Sequence, residues 1–367
     1  MKIYGYGRQT IGEDDIQSVI DVLRGDYMTC GPMVKRFEQA ICDYTGAKYC
    51  VTVANGTAAL HIAALAAGLG SGDEAITTPI TFLSSANCIA FCGARPVFAD
   101  IDSETACIDP EEIGKHITPN TKAIIPVHFA GQSCDMEKIR AIAKSRNLRV
   151  IEDAAHAIGS DYKNTKVGSC AYSDMTTFSF HPVKTITTGE GGAVTTNDPE
   201  LYAKLLAFRG HGMHKDGEMS HTWEYEMREL GYNYRITDFQ CALGISQLKK
   251  LDSFKKRRRE IVSHYNEHLG LPHLVERDFS NACFHLYPIL IGNRRELYFK
   301  AHAAGLNLQV HYIPVHIQPY YQQTFGYKVG DYLKAEAYYE KCISLPLYPS
   351  LTDADLNHIV KTLKEIL

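Results

Sequence analysis

The stretch TTFSFHPVKTITTGEGGAVTTN, residues 176–197, holds two short β-rich runs separated by a turn of small residues. Side chains alternate along the first run, so Ser179 and His181 share one face and Phe178 and Phe180 share the other. Pro182 ends this strand because it has no N–H to donate to a sheet. Lys184 follows at the strand's exit. Taken alone, Lys184 would be interpreted as an ordinary surface lysine. Whether it has a functional role depends on other residues of the chain.

Further β-rich runs alternate with helical segments along the first two thirds of the chain. These runs are YCVTV (49–53), EAITTP (74–79), RPVFAD (95–100), KAIIPVH (122–128) and LRVIED (148–153). The alternation predicts an α/β fold with a mostly parallel sheet, of the seven-stranded type, covered by helices on both faces. An amphipathic helix is predicted at residues 13–25. A long charged helix starts near Lys249, which divides the chain into a large domain, 1–250, and a smaller C-terminal α+β domain, 251–367.

Composition excludes several classes of function. The chain has 367 residues and a net charge of −4, so no global field favours nucleic acid or an anionic membrane. The basic run Lys255–Arg259 is interpreted as a solvated helix face. Eleven cysteines without a C-x-x-C pair indicate a reducing compartment rather than a disulfide framework. With no apparent leader, no long apolar run and no HExxH spacing, we expect a cytoplasmic protein without a membrane span or metal site.

Two ionisable residues suggest cofactor chemistry when they are considered together. Asp153 ends a predicted buried strand, at the sheet edge where ligands bind in open α/β folds. A buried carboxylate there needs a cationic partner, such as a protonated pyridine nitrogen. A lysine in a dry pocket has a lowered pKa and can form a Schiff base. Enzymes that use pyridoxal 5′-phosphate (PLP) need both groups, so Lys184 and Asp153 together favour that cofactor.

A phosphate-binding turn is also present. ANGTAAL (54–60) places small residues directly after a strand, and a helix opens at Gly56–Ala58. Free N–H groups at a helix N-terminus attract an anion, and the Thr57 hydroxyl can add a bond. Ser179 is a second candidate phosphate donor. Phe82 is a candidate to stack on the cofactor ring, and His156 lies close enough to Asp153 to sit beside the same ring.

Five segments together carry a resemblance to a known family: NGTAAL, EDAAHAIGS, FSFHPVKTITTGEGGAV, FRGHGM and GYNYRITDFQCALGISQLKKL. They resemble the DegT/DnrJ/EryC1/StrS aminotransferases, fold-type I PLP enzymes that act on nucleotide-linked keto-sugars. The resemblance implies that Lys184 binds PLP covalently and that Asp153 pairs with its ring nitrogen. It further implies a homodimer with shared active sites, in which Asn233 reaches the partner's cofactor phosphate. The remaining cofactor residues that it implies are Gly56, Thr57, Ala58, Phe82, His156 and Ser179.

Three segments are most similar to one branch of this family: FHLYPILI, QVHYIP and LGYNYRITDFQCALGISQLKKLD. That branch moves the amino group of L-glutamate to the C4 ketone of a UDP-linked 4-keto-6-deoxy-N-acetylhexosamine in pseudaminic acid biosynthesis, releasing 2-oxoglutarate. Transamination of another UDP- or dTDP-linked keto-sugar stays open, as does a non-enzymatic PLP-binding regulator. The resemblance implies these sugar-nucleotide contacts: Tyr6, Asp26, Tyr27, Met28, Thr29, Gly56, His181, Asn233, His311, Tyr312, Ile313 and Pro314.

Overall fold

A seven-stranded sheet is the centre of the computed structural model, which describes residues 2–214 and 223–367. The sheet and its smaller neighbours are built from these strands: β1 Tyr4–Gly5, β2 Tyr49–Val53, β3 Glu74–Thr77, β4 Arg95–Phe98, β5 Thr121–Ile125, β6 Arg149–Asp153, β7 Asp161–Tyr162, β8 Thr165–Lys166, β9 Met175–Ser179, β10 Gly192–Thr196, β11 Met213–His214, β12 Glu226–Met227, β13 Ser280–Asn281, β14 Tyr287–Leu290, β15 Leu306–Asn307 and β16 Cys342–Leu345.

The order of strands in the large sheet is β2-β10-β9-β6-β5-β3-β4. Only β10 runs antiparallel to its neighbours, β2 and β9, and the other adjacent pairs are parallel. The prediction of a mostly parallel sheet is therefore confirmed. The exception has a local cause, because residues 180–191 join β9 to β10 without the crossover helix that a parallel connection needs. Lys184 lies in this connection.

Helices cover both faces of the sheet and form much of the C-terminal region. They are α1 Glu13–Leu23, α2 Pro32–Thr45, α3 Gly56–Ala66, α4 Ser84–Phe91, α5 Pro110–Lys115, α6 Met136–Arg146, α7 Pro199–Arg209, α8 Asp238–Leu248, α9 Leu251–Leu269, α10 Arg294–Ala303, α11 Pro319–Phe325, α12 Leu333–Lys341 and α13 Asp353–Ile366. The alanine-rich α3 is almost wholly buried against the sheet. Among the described residues, no helix is both long enough and apolar enough to cross a lipid bilayer.

Helix α1 forms where the pattern predicts it, but its burial differs from the expectation. Ile16 and Leu23 of its apolar stripe are 43% and 51% exposed. Its buried residue is Asp15, whose carboxylate accepts bonds from Lys250 Nζ at 2.7 Å and Gln247 Nε2 at 2.8 Å. These polar contacts fix the helix against α8, and Ile16 and Leu23 are left at the surface.

The C-terminal region is organised around small sheets rather than long strands. Strand β14 pairs with β16, and β15 pairs with β1 from the chain's beginning. In the run LNLQVHYIP, residues 306–314, only Leu306–Asn307 is a regular strand before the chain turns toward the large sheet. Helix α9 starts at Leu251, and α8 precedes it as a separate helix. We propose residue 250 as the end of the large domain, with Tyr4–Gly5 packed on the smaller one.

The interpretation of Lys255–Arg259 as a solvated face is wrong for two of its residues. Arg258 is fully buried, and its Nη1 donates to the carbonyl oxygens of Phe284 at 3.1 Å and Leu347 at 3.0 Å. Lys255 is also buried and pairs with Asp161 at 2.7 Å. The run therefore fixes α9 to neighbouring segments, a role that charge counting alone does not reveal.

Candidate active site

The predicted catalytic residues meet at the carboxyl edge of the large sheet. Asp153 is the last residue of β6, and Ser179 is the last residue of β9. The turn after β2 begins α3 at Gly56, and the loop after β3 leads through Phe82 into α4. Because these strands are parallel, all of their ends open on the same side of the sheet, where ligands bind in such folds.

Lys184 projects from the connection between β9 and β10. Its backbone N–H donates to the His181 carbonyl at 2.9 Å, which closes a turn directly after the strand. Its side chain is half-buried and makes no hydrogen bond with the described residues. Burial lowers the pKa of Lys184 to about 8, while the Asp153 carboxylate opposes that shift. The amine is therefore much closer to its nucleophilic neutral form at neutral pH than an exposed lysine is.

Asp153 is buried and held by neutral donors. Its Oδ2 accepts from the Ser85 hydroxyl at 2.6 Å, and its Oδ1 accepts from the Ala155 N–H at 3.1 Å. The Ser85 hydroxyl also lies 2.7 Å from that of Thr81, so it is oriented from both sides. No described lysine or arginine forms an ion pair with this carboxylate. A buried carboxylate without a bonded cation fits a protonated ring nitrogen of a bound cofactor.

The turn before α3 offers fewer free donors than expected. The Asn55 side chain caps the helix by accepting from the Ala58 N–H at 2.8 Å, so that amide is not free for an anion. Within the described chain, the Gly56 and Thr57 amides have no acceptor, and they point from the helix N-terminus as an anion cradle requires. The Thr57 hydroxyl lies 2.7 Å from that of Ser84, which orients it.

Two glycines allow the strands to approach this turn closely. A Cβ on Gly56 would lie 2.8 Å from Cβ of Ser179, so a larger residue would displace the serine. A Cβ on Gly192, at the start of β10, would lie 2.5 Å from the Asn55 carbonyl oxygen. The small residues after Lys184 therefore serve to bring β10 against the turn, and they do not form an anion-binding loop themselves.

An aromatic wall lies near Lys184, whose charge acts on two of its members, His156 and His311. The Tyr312 hydroxyl lies 3.2 Å from Nε2 of His156, and Phe82 meets the Tyr312 ring edge-on at 6.2 Å. His311 packs edge-on against Tyr6 at 4.7 Å, and its Nδ1 lies 2.8 Å from the Ser344 hydroxyl. Burial, followed by the Lys184 charge, lowers the pKa of His311 to about 3, so this histidine is neutral.

Other predicted substrate residues lie at the surface. Asp26, Tyr27, Met28 and Thr29 are exposed, and the Met28 carbonyl accepts from the Asp238 N–H at 2.9 Å beside the start of α8. Asn233, His181 and Ile313 are exposed as well, whereas Pro314 is buried. Among the described residues, Asp26–Thr29 make no hydrogen bond with the residues around Lys184. The structure therefore separates the predicted site into an inner cluster and an outer exposed set.

The inner cluster includes residues that carried no signal in the sequence. Ser85 lies in an ordinary helical segment, and only its bond to Asp153 distinguishes it. His285 was not among the predicted site residues, yet its ring lies 4.5 Å from that of His156. Both contacts join segments far apart in the chain, so local patterns could not have revealed them.

The residues present fit PLP. His156 is buried and its Nδ1 has no partner within the described chain, so a polar atom of a ligand is needed to satisfy it. The carboxylate of Asp153, the free amides of Gly56 and Thr57 and the Lys184 amine match the cofactor's ring nitrogen, phosphate and aldehyde in chemical type. These groups would hold the cofactor at the sheet edge.

Comparison with known proteins identifies relatives over nearly the whole chain. The sequence model of the DegT/DnrJ/EryC1/StrS aminotransferase family matches residues 9–364. The spore coat polysaccharide biosynthesis protein SpsC of Bacillus subtilis is 42% identical, over 98% of this chain and 96% of its own length. The UDP-4-amino-4,6-dideoxy-N-acetyl-beta-L-altrosamine transaminase of Campylobacter jejuni is 38% identical, over 99% and 97%.

Solved structures agree with this relationship. Helicobacter pylori PseC, an aminotransferase involved in the biosynthesis of pseudoaminic acid, superimposes with a TM-score of 0.92 at 33% identity, covering 100% of this chain and 99% of its own. The PLP-form of the putative sugar aminotransferase Spr1654 from Streptococcus pneumoniae gives 0.93 at 30% identity, covering 99% and 98%. The fold and the cofactor class therefore follow from relatives that match from end to end.

Proposed function

Because the chain belongs to the DegT/DnrJ/EryC1/StrS aminotransferase family, whose members are PLP-dependent sugar transaminases, we propose a specific reaction for it. It moves the amino group of L-glutamate to the C4 ketone of UDP-2-acetamido-2,6-dideoxy-β-L-arabino-hex-4-ulose, a step of pseudaminic acid biosynthesis. The likeness to the Campylobacter transaminase and to PseC supports this substrate.

The observation that carries the proposal is the shared pocket of Lys184 and Asp153. Lys184 has its pKa lowered to about 8 by burial, so a neutral amine is available near neutral pH. In that form the amine can accept a proton from the donor's Cα in the first half-reaction, and in its protonated form it can deliver a proton to the sugar's C4 in the second. Asp153, fixed by Ser85, keeps the opposite end of the pocket negative. The cofactor itself supplies the carbonyl that carries the amino group and the ring that accepts electrons.

The surrounding residues position the reactants. Gly56, Thr57 and Ser179 cradle the cofactor phosphate, and Ala58 anchors the turn through Asn55. Phe82 and His156 bracket the ring. The inner wall of Tyr6, His311, Tyr312 and Pro314, with Ile313 and His181 at its rim, faces the sugar. Binding at such a wall orients the ketone for proton transfer.

The exposed residues Asp26–Thr29 and Asn233 have a role if the enzyme forms a homodimer. Asp26–Thr29 and Asn233 lie at the surface, and this set includes two large side chains that expose apolar area, Tyr27 at 60% and Met28 at 53% exposed. Exposed apolar patches of this kind mark interaction sites. In the proposed dimer, these residues complete the partner's site, with Asn233 on the phosphate and Asp26–Thr29 on the sugar nucleotide. We place the enzyme in the cytoplasm, where its eleven free cysteines stay reduced.

A panel of keto-sugars tests the substrate assignment. Purified enzyme receives nitrogen-15-labelled L-glutamate with each of several UDP- and dTDP-linked 4-keto and 3-keto hexoses, and mass spectrometry detects labelled amino-sugar. The proposal expects the fastest turnover with the 4-keto-6-deoxy-N-acetyl-L-arabino sugar, and none with the Lys184→Ala variant. Preference for a dTDP-linked or 3-keto sugar would contradict the substrate and keep the transaminase class. Absence of any labelled product would contradict the reaction.

A further inference from the structure

His285 contributes to the inner cluster through contact with another histidine. Its imidazole lies 4.5 Å from that of His156, with the planes inclined by 48°. The two side chains are 3% and 5% exposed, so neither ring has room to swing into solvent. The Tyr312 hydroxyl lies 3.2 Å from Nε2 of His156. The His156 ring is therefore held between a hydrogen bond and a packed ring.

The segment that carries His285 is fastened to loops of the large sheet. The His285 N–H donates to the Ala130 carbonyl at 2.8 Å, and the Cys283 N–H donates to the Ser160 hydroxyl at 2.8 Å. Gly131 has a φ of +100°, and a Cβ there would lie 2.3 Å from the Cys283 carbonyl oxygen. Because only glycine suits this backbone conformation and this close contact, the segment around Cys283 is packed tightly against Gly131 and its position is fixed.

A buried arginine fixes the same segment from behind. Arg258 Nη1 donates to the Phe284 carbonyl at 3.1 Å and to Leu347 at 3.0 Å. The Leu347 N–H in turn donates to the Tyr6 carbonyl at 3.0 Å, so one guanidinium ties together two segments that reach the pocket. Arg258 forms no ion pair with any described carboxylate, and its contacts are to backbone carbonyls. The burial of Arg258 is therefore explained by its hydrogen bonds to the two backbone segments and not by an ion pair.

The protonation of His156 follows from these surroundings. Burial, followed by the charge of Lys184, holds the pKa of His156 well below its usual value, so the ring is neutral and carries one N–H. If Tyr312 donates to Nε2, the proton is on Nδ1. The opposite arrangement would leave both the Nδ1 lone pair and the Tyr312 proton unsatisfied. The first tautomer therefore costs less, and it offers a free Nδ1–H donor in the pocket.

We propose that His285 is a positioning residue whose ring, packed on His156, fixes the imidazole plane and the Nδ1–H direction that His156 offers to the cofactor beside Lys184. This rests on the proposed contact of His156 with the cofactor. The flat shape of the ring performs the task, because the contact with His156 is ring against ring, with centroids 4.5 Å apart. A flat ring of another kind should therefore replace it, whereas a flexible aliphatic chain should not.

Three substitutions and one control test this inference. His285→Phe keeps a flat ring, while His285→Leu and His285→Met fill the space without one. Ile261→Ala, in the same helix as Arg258 and fully buried, controls for a loosened small domain. The first readout is the nitrogen-15 resonances of the His156 imidazole in the cofactor-free protein. The second is the visible circular dichroism of the bound cofactor, and the third is the separation of kcat from KM for the keto-sugar.

The ring-free variants are expected to move the His156 resonances toward those of freely exchanging tautomers and to change the cofactor's circular dichroism. Their kcat should fall roughly 10- to 100-fold with little change in KM, as expected for a misplaced contact. His285→Phe and Ile261→Ala should resemble the wild type in all three readouts. The inference is overturned if a folded ring-free variant keeps the wild-type resonances, or if His285→Phe is as impaired as His285→Leu. Because the resonances need no turnover, they stay decisive if the proposed substrate is wrong.

Discussion

At the scale of single residues, the site depends on two ionisable side chains in different surroundings. Lys184 is partly desolvated and unbonded, whereas Asp153 is buried and bonded to Ser85 and the Ala155 amide. The first arrangement favours a neutral, reactive amine, and the second keeps a carboxylate ready for a cation. The lysine reacts while the aspartate sets the charge at the far end of the pocket.

Replacing Asp153 by asparagine tests the contribution of the negative charge separately from that of the side chain's shape. The amide keeps the volume and the Ser85 contact but cannot neutralise a protonated ring nitrogen. We expect kcat to fall by about 100-fold or more, as when an oriented electrostatic contact is lost. Steady-state kinetics with L-glutamate measures this. The control is Glu152→Gln. Glu152 precedes Asp153 on the opposite face of the strand and is bonded to His128 and Thr176, so its replacement should affect stability more than rate. Wild-type turnover in Asp153→Asn would refute the role.

The pKa of Lys184 gives a pH prediction for the cofactor-free protein. Labelling with an amine-reactive reagent should reach half its maximum near pH 8 at Lys184, because burial lowers its pKa to about 8. Lysines with an unperturbed pKa reach half-maximal labelling at about pH 10.4. Peptide mass spectrometry resolves the sites, and the other lysine peptides are internal controls. The groups facing the amine are Asp153, which raises its pKa, and His156, His285 and His311, which are neutral here. Labelling of Lys184 in step with surface lysines would contradict its burial.

The same shift has a consequence for stability. Between about pH 8 and the ordinary lysine range, Lys184 is neutral in the folded state and protonated in the unfolded state. The unfolded chain then binds more protons, so this group makes the cofactor-free protein more stable as the pH rises through that window. Lys184→Ala should remove that contribution, which urea unfolding at two pH values can measure.

At the scale of elements, the meeting of β10 with the turn before α3 determines the cradle. Gly192→Ala would place Cβ 2.5 Å from the Asn55 carbonyl oxygen, where backbone must move. We expect a loss of about 1–3 kcal/mol in the free energy of unfolding, together with weaker binding of PLP. Gly114→Ala in α5, where nothing lies within 4 Å of the new Cβ, should be neutral or stabilising. Equal urea midpoints for the two variants would show that the close approach is not needed.

The elements also show how far the sequence alone leads. The strands that end at the site are short, apolar and bounded by turn residues, so their positions and the α/β class could be predicted. The start of the long charged helix could also be predicted to within two residues, because the nearly uncharged sequence of α8 gives way to charged residues at Lys249. The burial of Arg258 and Asp15 depends on backbone carbonyls and side chains that are distant in the chain. Likewise, the capping of Ala58 by Asn55 changes which amides are free, and only the helix geometry reveals it.

At the scale of the whole molecule, the separation of inner and outer residues predicts complementation. Lys184→Ala and Asn233→Ala should each be inactive alone, since one lacks the amine and the other the proposed phosphate contact. Mixing them after reversible dissociation should restore about a quarter of wild-type activity, because half of the random dimers are hybrids with one intact site. Mixing Lys184→Ala with Asp153→Asn is the control, because both changes lie in the same inner cluster, and it should restore nothing. No recovery in the first mixture would contradict shared sites.

The claim on which the account depends is that Lys184 carries the cofactor. The most direct measurement loads the purified protein with PLP, reduces the lysine–cofactor linkage with borohydride to a stable amine, and maps the modified residue by peptide mass spectrometry. We expect one phosphopyridoxyl group per chain, on Lys184, and none in the Lys184→Ala variant. A modification on another lysine, or a protein that binds PLP without a covalent linkage, would contradict it.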